Sequence, residues 1–491
     1  MEQMRPALEI IRDLCKRLET EGIGYCHWKS TAALARSASG DNDLDLLVSR
    51  GDVWHFTRIL HQLNFKEARP PTIKQLPGIL DFYGCDRQAD RLVHVHAHYQ
   101  LVLGHDTTKN YCLSIERPFL ESVIQNDIFK IPAAEFELIV FVIRMVLKHA
   151  TWDAIISREG KLSKSEQQEF AHLQTRVNQV NLLAILNRLL PSVDSSLFES
   201  CIHALDPECS LWIRIKVGQK LQHSLKAYAR RSQTKDTLLR LWRRLSNAVS
   251  RRITENNSKK RLAGGGAMIA IVGGDGAGKS TAIDGLYEWL SKDFATIKIH
   301  LGKPKMSWTT IVVRGILKIG RSLGFYPYSR APNLYNLDTS SLIFPGYPSL
   351  LRDVCVARDR YLTYLKARRF TAGGGLAICD RFPLPQVQLM DGPQGERNSS
   401  THKDNWLIAF LIRLEKKYYR PIMLPELLIV LLVNPDIAVQ RKSDEDAYSV
   451  RARSAEIYRL DWRQTIAHVV DANRTKDEVL TELKYLIWSE I

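Results

Sequence analysis

The chain is expected to be α/β, with a parallel sheet flanked by helices in its carboxyl-terminal half and an α+β arrangement with a helical subdomain before it. Three observations lead to that expectation. Strand-length apolar runs at 268–272, 375–379 and 427–433 alternate with helical segments, the pattern of parallel strands covered by helices on both faces. Upstream, apolar positions such as Phe136, Ile139, Val140, Ile143, Val146 and Leu147 recur at helical spacing. Between these regions a polar, basic stretch ends in Gly264-Gly265-Gly266, the clearest break in the chain.

These signals divide the sequence into an α+β segment over 1–115, a helical segment over 116–249, a basic, glycine-ended linker over 250–266, and an α/β segment over 267–491. A length of 491 residues supports several cores. The eight cysteines stand singly, without C-x-x-C pairs, as reduced thiols would. Met1 to Leu18 has an amphipathic helical pattern and lacks the apolar centre of a signal peptide. The longest apolar runs, Leu138–Leu147 (broken by Arg144) and Leu427–Val433, are too short to span a bilayer, so a soluble, cytoplasmic protein is expected. The formal charge of +16 is concentrated between Lys226 and Arg261, where twelve Lys/Arg face only Asp236 and Glu255. That excess suits either a solvated connector or contact with an anionic surface; no RNA- or DNA-reading motif accompanies it.

The most specific signal is Gly273-Gly274-Asp275-Gly276-Ala277-Gly278-Lys279-Ser280, a complete G-x-x-x-x-G-K-S phosphate loop after the apolar run Met268–Val272. Glycines let successive N–H groups turn toward phosphate oxygens, and the helix that follows, beginning near Lys279 and passing through Thr281, adds its positive end. Lys279 is placed to reach the β- and γ-phosphates of ATP, and Ser280 to supply a hydroxyl ligand to Mg²⁺. A second site follows from Leu376-Ala377-Ile378-Cys379-Asp380-Arg381, an apolar strand that delivers an Asp-Arg pair to its carboxyl end. That edge of an open α/β sheet is where ligands bind. Asp380 can hold Mg²⁺ beside Ser280, and the Arg381 guanidinium can grip an acceptor phosphate.

With the Pro425-Glu426 strand and its Pro435 and Ala438-Val439-Gln440-Arg441-Lys442 continuation, these motifs occur in the order found in thymidylate kinase, which residues 268–491 resemble. The resemblance implies a P-loop kinase whose mobile lid carries Arg441, Lys442, Arg451 and Arg453. It sets Arg360, in Arg358-Asp359-Arg360-Tyr361, against the acceptor nucleotide, and Asp471, in Val470-Asp471-Ala472, at the turn edging the adenine. Asp275 matches a carboxylate facing the acceptor's sugar hydroxyl. Members of that family are often dimers, which leaves a homodimer open here.

One segment departs from the family. Where thymidylate kinases carry Arg-Glu-Pro-Gly-Gly, this chain has His300-Leu301-Gly302-Lys303-Pro304, and the following 305–350 stretch is long and rich in Tyr, Pro and Arg. A nucleoside monophosphate is the first expected acceptor, with a sugar or sugar phosphate of surface-polysaccharide assembly as the alternative. A third reading is a nucleotide-gated binding protein without a small acceptor. Should the acceptor be a hydroxyl, Asp275 is the first candidate base.

In the amino-terminal segment, Asp43-Leu44-Asp45 follows Lys29-Ser30 and Gly40, and strand alternation puts both carboxylates on one face, where they can bind divalent metal. The arrangement resembles the nucleotidyltransferase fold, with His94, in Leu92-Val93-His94-Val95-His96, standing where that fold has a third carboxylate. His94, His96 and His98 alternate in a way that suits zinc, but no Cys or acidic residue stands at ligand spacing beside them.

Overall fold

Five short strands form the sheet at the start of the chain: β1 (Tyr25–His27), β2 (Leu44–Val48), β3 (Lys66–Arg69), β4 (Ile79–Asp86) and β5 (Arg91–His98), in the order β1-β2-β5-β4-β3. Only β2 and β5 run parallel; the remaining pairs are antiparallel. The computed structural model describes residues 6–29, 31–151, 161–253, 259–324, 347–387, 392–393 and 405–491. Segment 325–346, which holds much of the Tyr-, Pro- and Arg-rich stretch, lies outside the described residues. So do Ser30 and residues 254–258 of the linker. The chain divides into two units, Met1–Lys260 and Arg261–Ile491.

In the first unit, alternation sorts the sheet into two faces. Leu44, Leu46, Val48, Phe82, Val93 and Val95 bury one face against the helices Glu9–Thr20 and Val53–Gln62 through Ile11, Leu14, Leu18, Phe56 and Ile59. The other face carries Asp45, Asp81, His94, His96 and His98. Beside it runs the helix Ala134–His149, apolar nearly all round, at the centre of a second core shared with Leu47, Leu101, Leu103 and the helices 164–224. Capping residues start those later helices: Ser163 with Glu166 forms a capping box, while Asn178, Asp194 and Ser210 each accept a backbone N–H.

The basic stretch is largely helix, from Gln233 to Ile253. Part of its charge is structural: Arg243 binds the Thr107 carbonyl, Arg230 donates to the Lys109 carbonyl at 3.2 Å, and Arg240 lies 3.3 Å from Asp236. Its outer face exposes Leu238, Leu241, Trp242 and Leu245. No helix among the described residues is long and apolar enough to cross a membrane.

The second unit is built on five parallel strands, β6 (Met268–Gly273), β7 (Thr296–His300), β8 (Leu376–Asp380), β9 (Leu427–Leu432) and β10 (Ala467–Asp471), in the order β7-β8-β6-β9-β10. Every residue of β6 is buried, as expected of a central strand covered on both faces. Strand order reverses beside β6, so the crevice at its carboxyl end is the position where such sheets bind ligands. Gly273, His300, Asp380 and Asp471 all end strands at that edge. The closing helix Lys476–Glu490 docks onto Lys279–Leu290 through Trp488, whose ring centroid lies 6.3 Å from Trp289 and 5.8 Å from Phe294.

Glu137 sits inside the apolar helix, 3% exposed. Its Oε1 accepts from the Thr31 hydroxyl at 2.6 Å, while Oε2 has no partner. Burial raises its pKa to about 7, against the opposing Thr31 hydrogen bond. The native state therefore holds a proton that the unfolded chain releases near pH 4.5. Stability from this group is complete below that value and is lost as pH rises to about 7. We expect the amino-terminal unit's unfolding free energy, from urea titration, to fall across that window, by on the order of 3 kcal/mol at most, and Glu137→Gln to flatten the fall.

Candidate functional site

The phosphate loop starts where β6 ends. Gly276 and Gly278 have φ of +79° and +82°, conformations that a side chain would strain, and Gly278 caps the helix Lys279–Leu290. Close packing also requires glycine here: a Cβ on Gly276 would lie 2.6 Å from the Ala438 carbonyl, and one on Gly274 2.6 Å from the Ser454 Cα. Lys279 is buried, its ammonium donating to the Gly273 and Gly274 carbonyls at 2.9 and 2.7 Å. Ala277 is buried, whereas Ser280 and Thr281 are exposed at the first turn of the helix.

Asp275 is the electrostatic centre of the loop. Arg381 Nη2 donates to one carboxylate oxygen at 3.1 Å and Arg453 Nη1 to the other at 2.7 Å, with Lys279 Nζ at 4.0 Å. Burial alone would raise its pKa, but Arg453, Lys279 and Arg381 together hold it below the usual carboxylate range. Arg381 reaches Asp275 from a left-handed backbone, φ +57°, an arrangement that costs about 1–3 kcal/mol at a non-glycine residue and is typical of functional positions. Asp380, just before it, has one oxygen 3.6 Å from His300 Nε2, while the other, Oδ1, is buried without a partner. With Ser280 at the same edge, that orphaned oxygen fits a Mg²⁺ ligand.

The lid candidates separate. Arg453, on the helix Ala447–Arg459, faces the loop. Arg441 donates to the Ala472 carbonyl at 2.8 Å, fixing the turn after β10, and lines a cavity of about 340 Å³ with Gly278, Thr281, Ala472 and Val479. Asp471 shapes that turn by accepting from the Asn473 backbone at 2.9 Å. Lys442 and Arg451 pair with Glu445 and Asp436 at 2.9 and 2.7 Å, on the surface. Arg360 is buried and fully engaged: Nε donates to the Leu301 carbonyl at 2.6 Å, Nη2 to Gly302 at 3.2 Å, and Nη1 meets the Tyr419 hydroxyl. It braces the turn after β7, and no sequence signal distinguishes that role from acceptor contact.

In the first unit, the second face of the sheet gathers three carboxylates. Asp43 lies 2.9 Å from His94 Nδ1, and Asp81, from β4, lies 2.7 Å from His94 Nε2 and 3.0 Å from Lys260. Asp45 meets Lys29 at 2.6 Å, His96 at 3.1 Å and His98 at 3.4 Å. The histidines thus do have acidic neighbours, supplied by β2 and β4 rather than by local spacing. Asp81 and Lys260 escape a sequence reading because only strand pairing brings them to His94. Burial disfavours the charge on Asp45, but Lys29, His96 and His98 more than offset it and hold its pKa well below the ordinary value.

The strand, glycine loop and helix around β6, in a parallel sheet flanked by helices, form the arrangement of a P-loop fold. No protein-family model matches the chain. The chain is similar over 219 residues to the uncharacterized ATP-binding protein YghR of Escherichia coli K12, at 26% identity, across 44% of this chain and 84% of YghR. It is likewise similar to YghS of the same strain, also an uncharacterized ATP-binding protein, at 29% identity over 220 residues, 43% of this chain and 89% of YghS. Among solved structures, thymidylate kinase from Candida albicans aligns at a TM-score of 0.30 and 18% identity, across 46% of this chain and 92% of that one.

Because Gly276 combines positive φ with a 2.6 Å approach to Ala438, Gly276→Ala must distort the loop. A fluorescent ADP titration is expected to show affinity reduced by about tenfold or more, with circular dichroism showing the fold retained.

Proposed function

We propose that the carboxyl-terminal unit catalyses ATP- and Mg²⁺-dependent phosphoryl transfer in the manner of thymidylate kinases, with a nucleoside monophosphate as the first candidate acceptor. The observation that carries this reading is the convergence of Arg381 and Arg453 on Asp275, a pair of guanidiniums poised over the phosphate loop. A loop that only senses nucleotide has no need of a second, acceptor-side guanidinium. The ATP-binding names of YghR and YghS support the nucleotide half of the reading.

An oxygen of the acceptor phosphate attacks the γ-phosphorus, the bond to the β,γ-bridging oxygen breaks, and ADP leaves with that electron pair. Since a phosphate oxygen is already anionic, no general base is required. Lys279 exchanges the Gly273 and Gly274 carbonyls for β- and γ-phosphate oxygens, and the loop N–H groups cradle the phosphates. Arg453 neutralises charge that builds on the transferring group, and Arg381 holds the acceptor phosphate in line. Ser280 and Asp380 are the residues that would hold Mg²⁺, which would supply charge neutralisation on the phosphates. The cavity bounded by Arg441, Thr281 and Ala472 suits the adenine.

A sugar or sugar phosphate is the second reading of the acceptor, favoured by Arg360. The donors that would read a nucleobase are committed to Leu301, Gly302 and Tyr419.

Lys279→Ala is expected to lower kcat/KM for ATP about 1000-fold or more while circular dichroism shows the fold retained; unchanged turnover would remove the phosphate loop from the reaction. Arg381→Ala should raise the acceptor KM much more than the ATP KM. Equal changes in both would make Asp275–Arg381 a structural ion pair.

A further inference from the structure

The amino-terminal unit contains a second concave site, distinct in chain and chemistry from the phosphate loop. A cavity of about 680 Å³ opens between the Asp45 face of the sheet and the helix Ala134–His149, floored by Trp28, Val102 and Met145. It is lined by five cationic side chains and four carboxylates. Three of the cations have carboxylate partners: Lys29 meets Asp45 at 2.6 Å, Lys148 meets Glu166 at 3.0 Å and Asp106 at 3.4 Å, and Arg144 lies 3.6 Å from Glu169. Each of the four carboxylates therefore has a cation beside it, with Lys148 serving two, and Arg36 and Lys109 line the cavity with no ion pair among the described residues, leaving a net excess of one positive charge.

Nucleotidyltransferase chemistry would need divalent metal on the Asp43–Asp45 strand, and the residues present do not fit it. Asp45, His96 and His98 do bring one ligand atom each within 4.8 Å of one another. Lys29 Nζ, however, lies 2.6 Å from the Asp45 oxygen and 3.3 Å from His98 Nε2, where a metal ion would be held. Asp43 and Asp81 are joined through His94, and Asp81 also holds Lys260. Each carboxylate already has a cation of this chain.

We infer that this cavity binds a phosphate-bearing small molecule without divalent metal, with Lys29 as the built-in counter-ion and with Lys109 and Arg36 as the residues that meet the phosphate. Two further features agree. Lys109 is held at φ +41° in a turn that Gly104 closes, where a Cβ would lie 2.9 Å from the Asn110 nitrogen, so the backbone is strained to present this lysine. That turn is in turn pinned by the basic helix and its lead-in, through Arg243 to Thr107 and Arg230 to Lys109 and Asn110. Uncommitted cations around a cavity whose carboxylates are already paired call for an oxyanion ligand.

The test uses the full chain carrying Lys279→Ala, which silences the phosphate loop, titrated calorimetrically with inorganic pyrophosphate in EDTA. The expected result is saturable binding at one site. Lys109→Asn, which keeps a residue tolerant of positive φ, should weaken it about tenfold or more, as should Arg36→Met. Adding Mg²⁺ at fixed free pyrophosphate should leave the affinity unchanged. Binding that appears only with Mg²⁺ or Mn²⁺ would overturn the inference in favour of a metal site. Absence of binding, or binding indifferent to both substitutions, would overturn it as well. Circular dichroism of each variant separates loss of the ligand from loss of the fold.

Discussion

The carboxylate of Asp275 is the contact on which the carboxyl-terminal site depends. It lies inside the phosphate loop, yet its partners come from the end of β8 and from the helix Ala447–Arg459, 106 and 178 residues away in sequence. One buried anion therefore fixes the loop, Arg381 at the end of β8 and the helix Ala447–Arg459 relative to one another. Removing any of the cations would leave a buried carboxylate less compensated, a larger penalty than the net value of a surface ion pair. Glycine at 274 and 276 is the steric counterpart, since only a backbone without Cβ lets Ser454 and Ala438 approach.

The two units solve a similar electrostatic problem differently. In both, carboxylates at a sheet edge or face are gathered beside lysine. In the carboxyl-terminal unit one oxygen of Asp380 is left buried and unpaired, so the site retains capacity for a cation brought with the nucleotide. In the amino-terminal unit Asp43, Asp45 and Asp81 are each met by His94, Lys29 or Lys260, and the excess at the neighbouring cavity is cationic. The first arrangement suits turnover of a Mg²⁺-bound substrate; the second suits holding an anion. The basic helix 233–253 links its charge to the second site, because Arg243 and the preceding Arg230 hold the loop that presents Lys109.

What could be read in sequence was what is contiguous along it. The phosphate loop, its flanking strand and helix, and the Asp380-Arg381 strand end are local patterns, each spelled by residues within a few positions of one another. Alternation likewise placed Asp43 and Asp45 toward the same side as His94 and His96. Long-range pairing was not legible. Nothing in the local pattern around Asp81 marks it, since β4 has to lie against β5 before it meets His94. Lys29 reads as one more basic residue until the fold buries it against Asp45. Arg360 illustrates the opposite difficulty: the resemblance supplied a role for an arginine in that place, whereas its side chain is consumed by two carbonyls and a tyrosine hydroxyl. Arg441, Lys442, Arg451 and Arg453 are equivalent in sequence, and only the packing of the helix Ala447–Arg459 onto Gly274 singles out Arg453.

The central claim is phosphoryl transfer from ATP to a small acceptor by the carboxyl-terminal unit. It is tested most directly by incubating the full chain with Mg²⁺ and γ-³²P-labelled ATP together with nucleoside monophosphates, sugars and sugar phosphates in turn, and following where the label goes. The account predicts label in one acceptor class, with ADP formed in equal amount and neither product formed by Lys279→Ala. Label released only as inorganic phosphate, at a rate indifferent to every acceptor, would contradict it and leave a nucleotide-gated binding protein instead.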